Sequence, residues 1–291
     1  MPSFVVAAIA IAASIVTAGA AAPIAGVVMT QLTIGTVLVG ALGGMVGSIA
    51  GQLASGQGLN FGQIMEAGVV GGITAGAFAG LSEAGMGFGN LQRAGAKIAN
   101  GSFGAADLPK VLETIAARGV VSAGVNTTVY GGSFGQALEG SVIGDVGAIG
   151  ASAIGTEFNG QAGKPDSNSI GYLASHAALG CALSAASGTR CAGGAIGGAV
   201  SAFAAETIAY GVTSGQGNPN SAQLAAITAL SMLAGGGVAS ALGENASGAA
   251  FASENETLNN TCGSDDPHGC GKNSGQWAQR LVLRARSSHL S

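Results

Sequence analysis

Few side chains in this chain could do chemistry, and their spacing decides what kind. His176 stands in LASHAALG with no second histidine or carboxylate at metal-ligand spacing beside it. An imidazole in such apolar company reads as a core or helix-packing histidine. The four cysteines form two pairs. Cys262 and Cys270 flank Asp265-Asp266-Pro267-His268, which could suggest zinc. Cys-x7-Cys, however, is wider than the usual ligand spacing of about two to four residues, so a small disulfide loop or free thiols is the reading. Cys181 and Cys191 lie on either side of Ser187-Gly188-Thr189, a reversal between two helices. A bridge there requires the first helix to end early or the second to start late, so that the Cα atoms come within about 7 Å. The other reading is two small residues buried in a tight hairpin. Carboxylates are scattered, and serine, histidine and aspartate never converge in a local motif. No enzyme, no metal and no cofactor is expected.

The elements that must position these residues are unusual. Charged residues make up 8% of the 291 and aromatics 4%, while glycine occurs 53 times. The hydrophobic fraction of 48% argues against disorder, because disordered chains are polar and charged. What remains is a set of thin helices rich in glycine, alanine, serine and valine. Interior glycine costs a helix about 1 kcal/mol relative to alanine, so only tight packing can hold such helices together. With a net charge of −4 and no basic stripe before the last residues, nucleic acid is not an expected partner.

An internal repeat organises the chain. Ala50–Gly80 and Ala123–Ala153 align without a gap, matching Gly51 with Gly124, Gly58 with Gly131, Phe61-Gly62-Gln63 with Phe134-Gly135-Gln136, and Glu66 with Glu139. Helical apolar spacing at Leu138, Val142, Val146 and Ile149 predicts a helix from Phe134 onward. Glycine stripes at Gly68, Gly72 and Gly76, and at Gly140 and Gly144, are predicted to let another helix approach backbone to backbone, in lipid or in a water-soluble array.

Taken in order, residues 1–65 carry no Asp, Glu, Lys or Arg, and 4–22 are continuously apolar or small. No basic region precedes them, so they read as an interior piece of a longer exported chain rather than a signal peptide. Leu81–Gly119 has a conventional solvated face, and Leu108-Pro109 marks a helix start. Residues 160–168 form the clearest loop and a subdomain junction. Apolar helices then resume over 170–210 and 222–242, and the segment from Glu244 is polar.

The stretch VSAGVNTTVYGGSFGQALEGSVIGDVGAIGASAIG resembles the haemagglutinin-type domain of filamentous-haemagglutinin and contact-dependent growth inhibition adhesin-toxins, which leave the cell by two-partner secretion. LASHAALGCALSAASGTRCAGGAIGGAVSAFAAE resembles the pretoxin segment that follows it, including the histidine, both cysteines and the trailing glutamate. The resemblance implies a non-enzymatic delivery segment, secreted or at the cell surface, that helps a C-terminal toxin enter a neighbouring cell. Its implied partners are an outer-membrane secretion partner and the target-cell membrane or an inner-membrane protein. It also implies that Cys181 and Cys191 pair, since both positions recur in the resembled segment. In that family a Val-Glu-Asn-Asn motif closes the pretoxin region. Here Glu254 and Asn255 are the residues that match in place, with Asn259-Asn260 slightly downstream. The other reading is a structural helical scaffold or adhesin fragment with no membrane step. The expected architecture is all-α: a glycine- and alanine-rich array of helical hairpins with an internal repeat and a polar, poorly ordered C-terminal tail. Its expected divisions are a lead segment 1–27, a haemagglutinin-type repeat domain 28–160, a pretoxin-like segment 161–260 and a residual tail 261–291.

Overall fold

A computed structural model describes residues 41, 44–49, 51–53, 58–158, 169–214, 219 and 221–261. The lead segment, the junction loop 160–168, Cys262, Cys270 and the tail lie outside the described residues. Among the described residues the chain is helical and contains no strand.

Helix α1 (Phe61–Leu81) begins at the shared Phe-Gly-Gln, where Asn60 Oδ1 caps it by accepting from Gln63 N at 3.2 Å. Helix α4 (Phe134–Glu157) begins at the aligned residue in the same way, Ser133 Oγ accepting from Gln136 N. An oxygen at the N-cap satisfies an amide that has no partner within the helix. The repeated text thus encodes a repeated helix start. Between them lie a wide turn, Ser82–Met86, where Gly85 takes φ +76°, then α2 (Gly89–Ala99) and α3 (Leu108–Tyr130). Pro109 sits in the first turn of α3, where its missing amide hydrogen has no helical partner to lose.

The second half contains α5 (Ile170–Ala186), α6 (Cys191–Thr213), α7 (Ser221–Ala241) and α8 (Ala246–Glu256), the last running into a π-helical turn, Thr257–Thr261. Helix α3 packs on α1 and α4, and α2 lies along α4. Helices α5, α7 and α8 all pack on α6. Helix α4 joins the two groups, since it also touches α5, α8 and the terminal turn.

The first group has an ordinary core. Leu91, Ala94, Val111 and Ala148 cluster with Phe88, Phe103, Ile115 and Ile149, and Ala77, Leu81, Ala117 and Val121 cluster with Phe78 and Met86. The second group is assembled differently. Its central helix α6 buries Gly193, Gly194, Gly197, Gly198, Ser201, Ala202 and Ala205, while Phe203 is 64% exposed. A Cβ on Gly194 would collide with the Gly180 carbonyl, and one on Gly197 with the Ala249 carbonyl. Main chains here touch main chains, which only glycine permits.

The apolar periodicity of α4 marks only part of its packed surface: Leu138 and Val142 lie against Gly119, and Ile149 packs into the first core. Asp145, Gly147, Ala148 and Ala151 face inward, and Val146 is 50% exposed. The predicted glycine stripes also divide. Gly68, Gly72 and Gly76 occupy buried positions, and a Cβ on Gly68 would press on Met45 Cγ at 2.7 Å. A Cβ at Gly140 or Gly144 would meet no atom within 4 Å among the described residues. The tight contact on α4 is Gly147, against Leu183 and Asn255, because the side chains of α5 and α8 arrive one turn further along.

Candidate functional site: a buried polar seam and the cleft beside it

Ser253, Glu256, Thr257 and Asn260 recur at three- and four-residue intervals, so one face of α8 and its terminal turn is polar. That face is buried. On α5, Tyr172, His176, Gly180 and Ser184 recur every four residues and are buried as well. Ser201 of α6 completes the seam. Glu256, 2% exposed, is its hub: Ser201 Oγ donates to Oε2 at 2.6 Å, while Tyr172 OH at 3.2 Å and Asn260 Nδ2 at 2.9 Å donate to Oε1. Asn260 Nδ2 also lies 3.1 Å from His176 Nε2 and against the Tyr172 hydroxyl. Ser253 Oγ donates to the Gly197 carbonyl at 3.0 Å, and Thr257 Oγ1 sits 2.9 Å from Ser201 Oγ.

Serine, histidine and glutamate do meet in space here, which local sequence motifs did not reveal. Their order is wrong for nucleophilic catalysis, because Ser201 contacts the carboxylate directly and His176, 1% exposed, faces Asn260 and the edge of Tyr172. The seam is a fully engaged network that clasps α8 to the α5–α6 hairpin. The signal for it was present in the sequence as the polar stripe from Ser253 to Asn260. A search for apolar stripes passes over it. Among the described residues no group of three or more His, Cys, Asp or Glu could hold a metal ion.

The hairpin itself is closed covalently. Cys181 and Cys191 are bonded, with Cα atoms 4.1 Å apart, because α6 starts only at Cys191 while Gly188 turns the chain at φ +72°.

Beside the seam, α3, α4 and α8 enclose a cleft of about 540 Å³. Arg118 lies in it, stacked 4.1 Å from the Phe78 ring centre and 4.8 Å from that of Phe88, and its Nε donates to Asp145 Oδ1 at 3.1 Å. Gly140 and Gly144 form part of its wall, which is why their missing side chains leave open space. The two matched motif residues also line it. Asn255 Nδ2 donates to the Gly144 carbonyl at 3.1 Å, fixing α8 to α4. Glu254 reaches both this cleft and a second cavity of about 350 Å³ shared with Gln52, Gln63 and Met232, and burial pushes its carboxyl above the ordinary range.

The family described as "possible hemagglutinin" matches residues 39–198, more than half of the chain. The chain belongs to this family. Membership carries an adhesin-related role and a secreted or surface setting. The match spans α1 through the first turns of α6, so it crosses the loop at 160–168 and takes in His176 and the disulfide-closed hairpin. The polar stripe of α8 lies beyond it. No functionally curated protein and no solved structure matches the chain.

Proposed function

We propose that the chain is a non-enzymatic delivery segment of a secreted adhesin-toxin, which associates with a target-cell membrane and aids entry of a toxin linked to its C-terminal side. The observation that carries this reading is the distribution of side chains on three long apolar helices. Helices α4 (Phe134–Glu157), α6 (Cys191–Thr213) and, over Gln223–Ala241, α7 are long and apolar enough to cross a membrane. Their buried positions are mostly glycine, alanine, serine and threonine, with Asp145 and Ile227 as the large exceptions, while Phe203, Val146 and the 44%-exposed Leu230 point outward. Small residues in the helix seams and large apolar ones outside are how helices associate in lipid, where burying leucine brings no gain. Polar side chains inside such a bundle must be mutually satisfied, as those around Glu256 are.

Anionic vesicles loaded with dye test the proposal. Wild-type protein is expected to float with the vesicles or release dye. A Val146→Gln, Leu230→Gln, Val238→Gln variant, whose changes fall on exposed helix faces, is expected to keep its helicity and lose both effects. Association that persists in this variant, or none in the wild type, would discard the membrane step. The scaffold reading would then stand, which the solvated α2–α3 face and its ion pairs favour. The non-enzymatic part has its own test: expression of residues 1–291 inside a bacterium lacking any immunity partner leaves growth unchanged.

A further inference from the structure

We propose that the cleft between α3, α4 and α8 binds a carboxylate, held by the free end of Arg118 and carried by a ligand with a short apolar body. The assignment is independent of the membrane step. Arg118 uses one edge of its guanidinium within the fold: Nε donates to both oxygens of Asp145, at 3.1 and 3.3 Å. Its Nη1 and Nη2 groups have no hydrogen-bond acceptor among the described residues, although the side chain keeps only 11% of its surface. Stacking between Phe78 and Phe88 fixes the plane of the group and keeps water off both of its faces. The end of the fork is thus left unused in a preset orientation, and that end takes one carboxylate oxygen on each arm.

The wall around it adds hydrogens. The Ser141 hydroxyl lines the cleft without a hydrogen-bond partner among the described residues. Ser122, one turn past Arg118, accepts from Asn126 Nδ2 at 3.5 Å and keeps its own hydrogen to give. Asp145 is engaged on both oxygens, and the side-chain oxygens of Asn255 and Asn259 are sealed from the cleft. Glu254 lines it too, and burial favours its neutral form, which donates through O–H. Asp145 does not cancel the attraction for a ligand. A carboxylate on Nη1 and Nη2 lies nearer to the guanidinium than to Asp145, which holds the Nε edge. A cation shared in this way suits a single negative charge better than a phosphate dianion. Phe251 of α8 and Leu258 of the terminal turn supply apolar surface for the rest of the ligand, and Gly140 and Gly144 leave the space open. The volume of about 540 Å³ suits a small aryl or alkyl acid.

Two sources could present that group: a separate organic acid, or Asp265 and Asp266 of this chain's own C-terminal stretch. Isothermal titration of the full chain at neutral pH, with hydrocinnamate and its neutral isostere hydrocinnamamide as probes, tests the site. The acid is expected to bind about tenfold more tightly than the amide, the margin of a charge-assisted over a neutral hydrogen bond. An Arg118→Gln, Asp145→Asn variant, which replaces the ion pair by a neutral one, is expected to remove that preference. Lys110→Gln, at an exposed cation elsewhere on α3, leaves it intact. Gly140→Leu, which fills the cleft from its open wall without touching the ion pair, is expected to abolish binding with no fall in melting temperature. A full-length Asp265→Asn, Asp266→Asn variant separates the sources. Tighter probe binding there identifies the chain's own carboxylates as the occupant, and unchanged binding identifies a separate ligand. Equal affinity for acid and amide, an undiminished preference in a folded Arg118→Gln, Asp145→Asn variant, full binding in Gly140→Leu, or absence of binding in both the wild type and the Asp265→Asn, Asp266→Asn variant overturns the proposal.

Discussion

The α1–α3 group and the α5–α8 group solve the same problem in opposite ways. In the first, helices meet largely through interdigitated Leu, Val, Ile and Phe side chains; Lys97 with Asp107 and Lys110 with Glu113 pair on the rim, and Arg118 turns inward, to Asp145 of α4. In the second, α5, α6 and α8 meet through bare backbone at Gly180, Gly194 and Gly197 with polar groups inside, and a small apolar cluster around Ala209 and Ile227 joins α6 to α7. The gain from burying apolar area, about 25 cal/mol per Å², favours the first design in water. The second gains little from it and depends on close packing and on hydrogen bonds made where no water competes. This contrast is what the proposed membrane step rests on: a first half built for water and a second half proposed to enter lipid.

The sharpest way to break this comparison is a pair of glycine substitutions. Gly197→Val would drive a side chain into the Ala249 backbone, and overpacking of that kind costs about 3 kcal/mol or more. Gly140→Ala, where nothing lies within 4 Å among the described residues, is expected to gain about 0.5 to 1 kcal/mol from helix propensity. Urea denaturation of both variants reads the difference, and equal effects would mean that the seams are not tight.

Next in size is the hub of the seam. Glu256→Ala leaves the Tyr172, Ser201 and Asn260 donors without their carboxylate, at a cost of about 1 to 3 kcal/mol for each buried group left unsatisfied. Lys110→Ala, which removes an exposed ion pair of the first group, is expected to change stability by about 0.5 kcal/mol or less.

Opening the Cys181–Cys191 bridge is expected to lower stability by about 2 to 3 kcal/mol, since a short loop is closed in the unfolded chain. Dithiothreitol should shift the denaturation midpoint of the wild type and leave that of a Cys181→Ala, Cys191→Ala variant where it is.

The smallest expected effects have opposite signs in two parts of the molecule. Lys97, donating to the Asp107 carboxylate, and then the Gly104 amide hold that carboxyl below its ordinary value. Its contribution is therefore present above the unfolded pKa of about 4 and lost as the pH falls through the folded value. Burial raises the Glu254 carboxyl, so the fold is favoured below its unfolded pKa and loses that advantage as the pH rises through the folded one. Stability measured against pH should fall more gently toward acid in Asp107→Asn, and hold up better toward neutrality in Glu254→Gln.

Much of the architecture was readable in one dimension because it is local. The starts of α1 and α4 follow from Asn60 and Ser133, capping oxygens placed before the same Phe-Gly-Gln, and the start of α3 from Leu108-Pro109. The helical fold follows from composition and spacing, and the hairpin turn from Ser187-Gly188-Thr189. Which face of each helix is buried did not follow, because periodicity names a face without naming its neighbour. In α4 the apolar stripe is only partly inward: Leu138, Val142 and Ile149 pack, Val146 is exposed, and Arg118 and Asn255, distant in sequence, bring Asp145 and Gly147 inside as well. The seam was hidden for the same reason. Glu256 finds its donors at Tyr172 and Ser201, 84 and 55 residues earlier, and only packing α5, α6 and α8 together turns these scattered polar residues into one buried network. Local energetics determined the helices, and the desolvation of polar groups that only tertiary packing brings together decided what those helices hold.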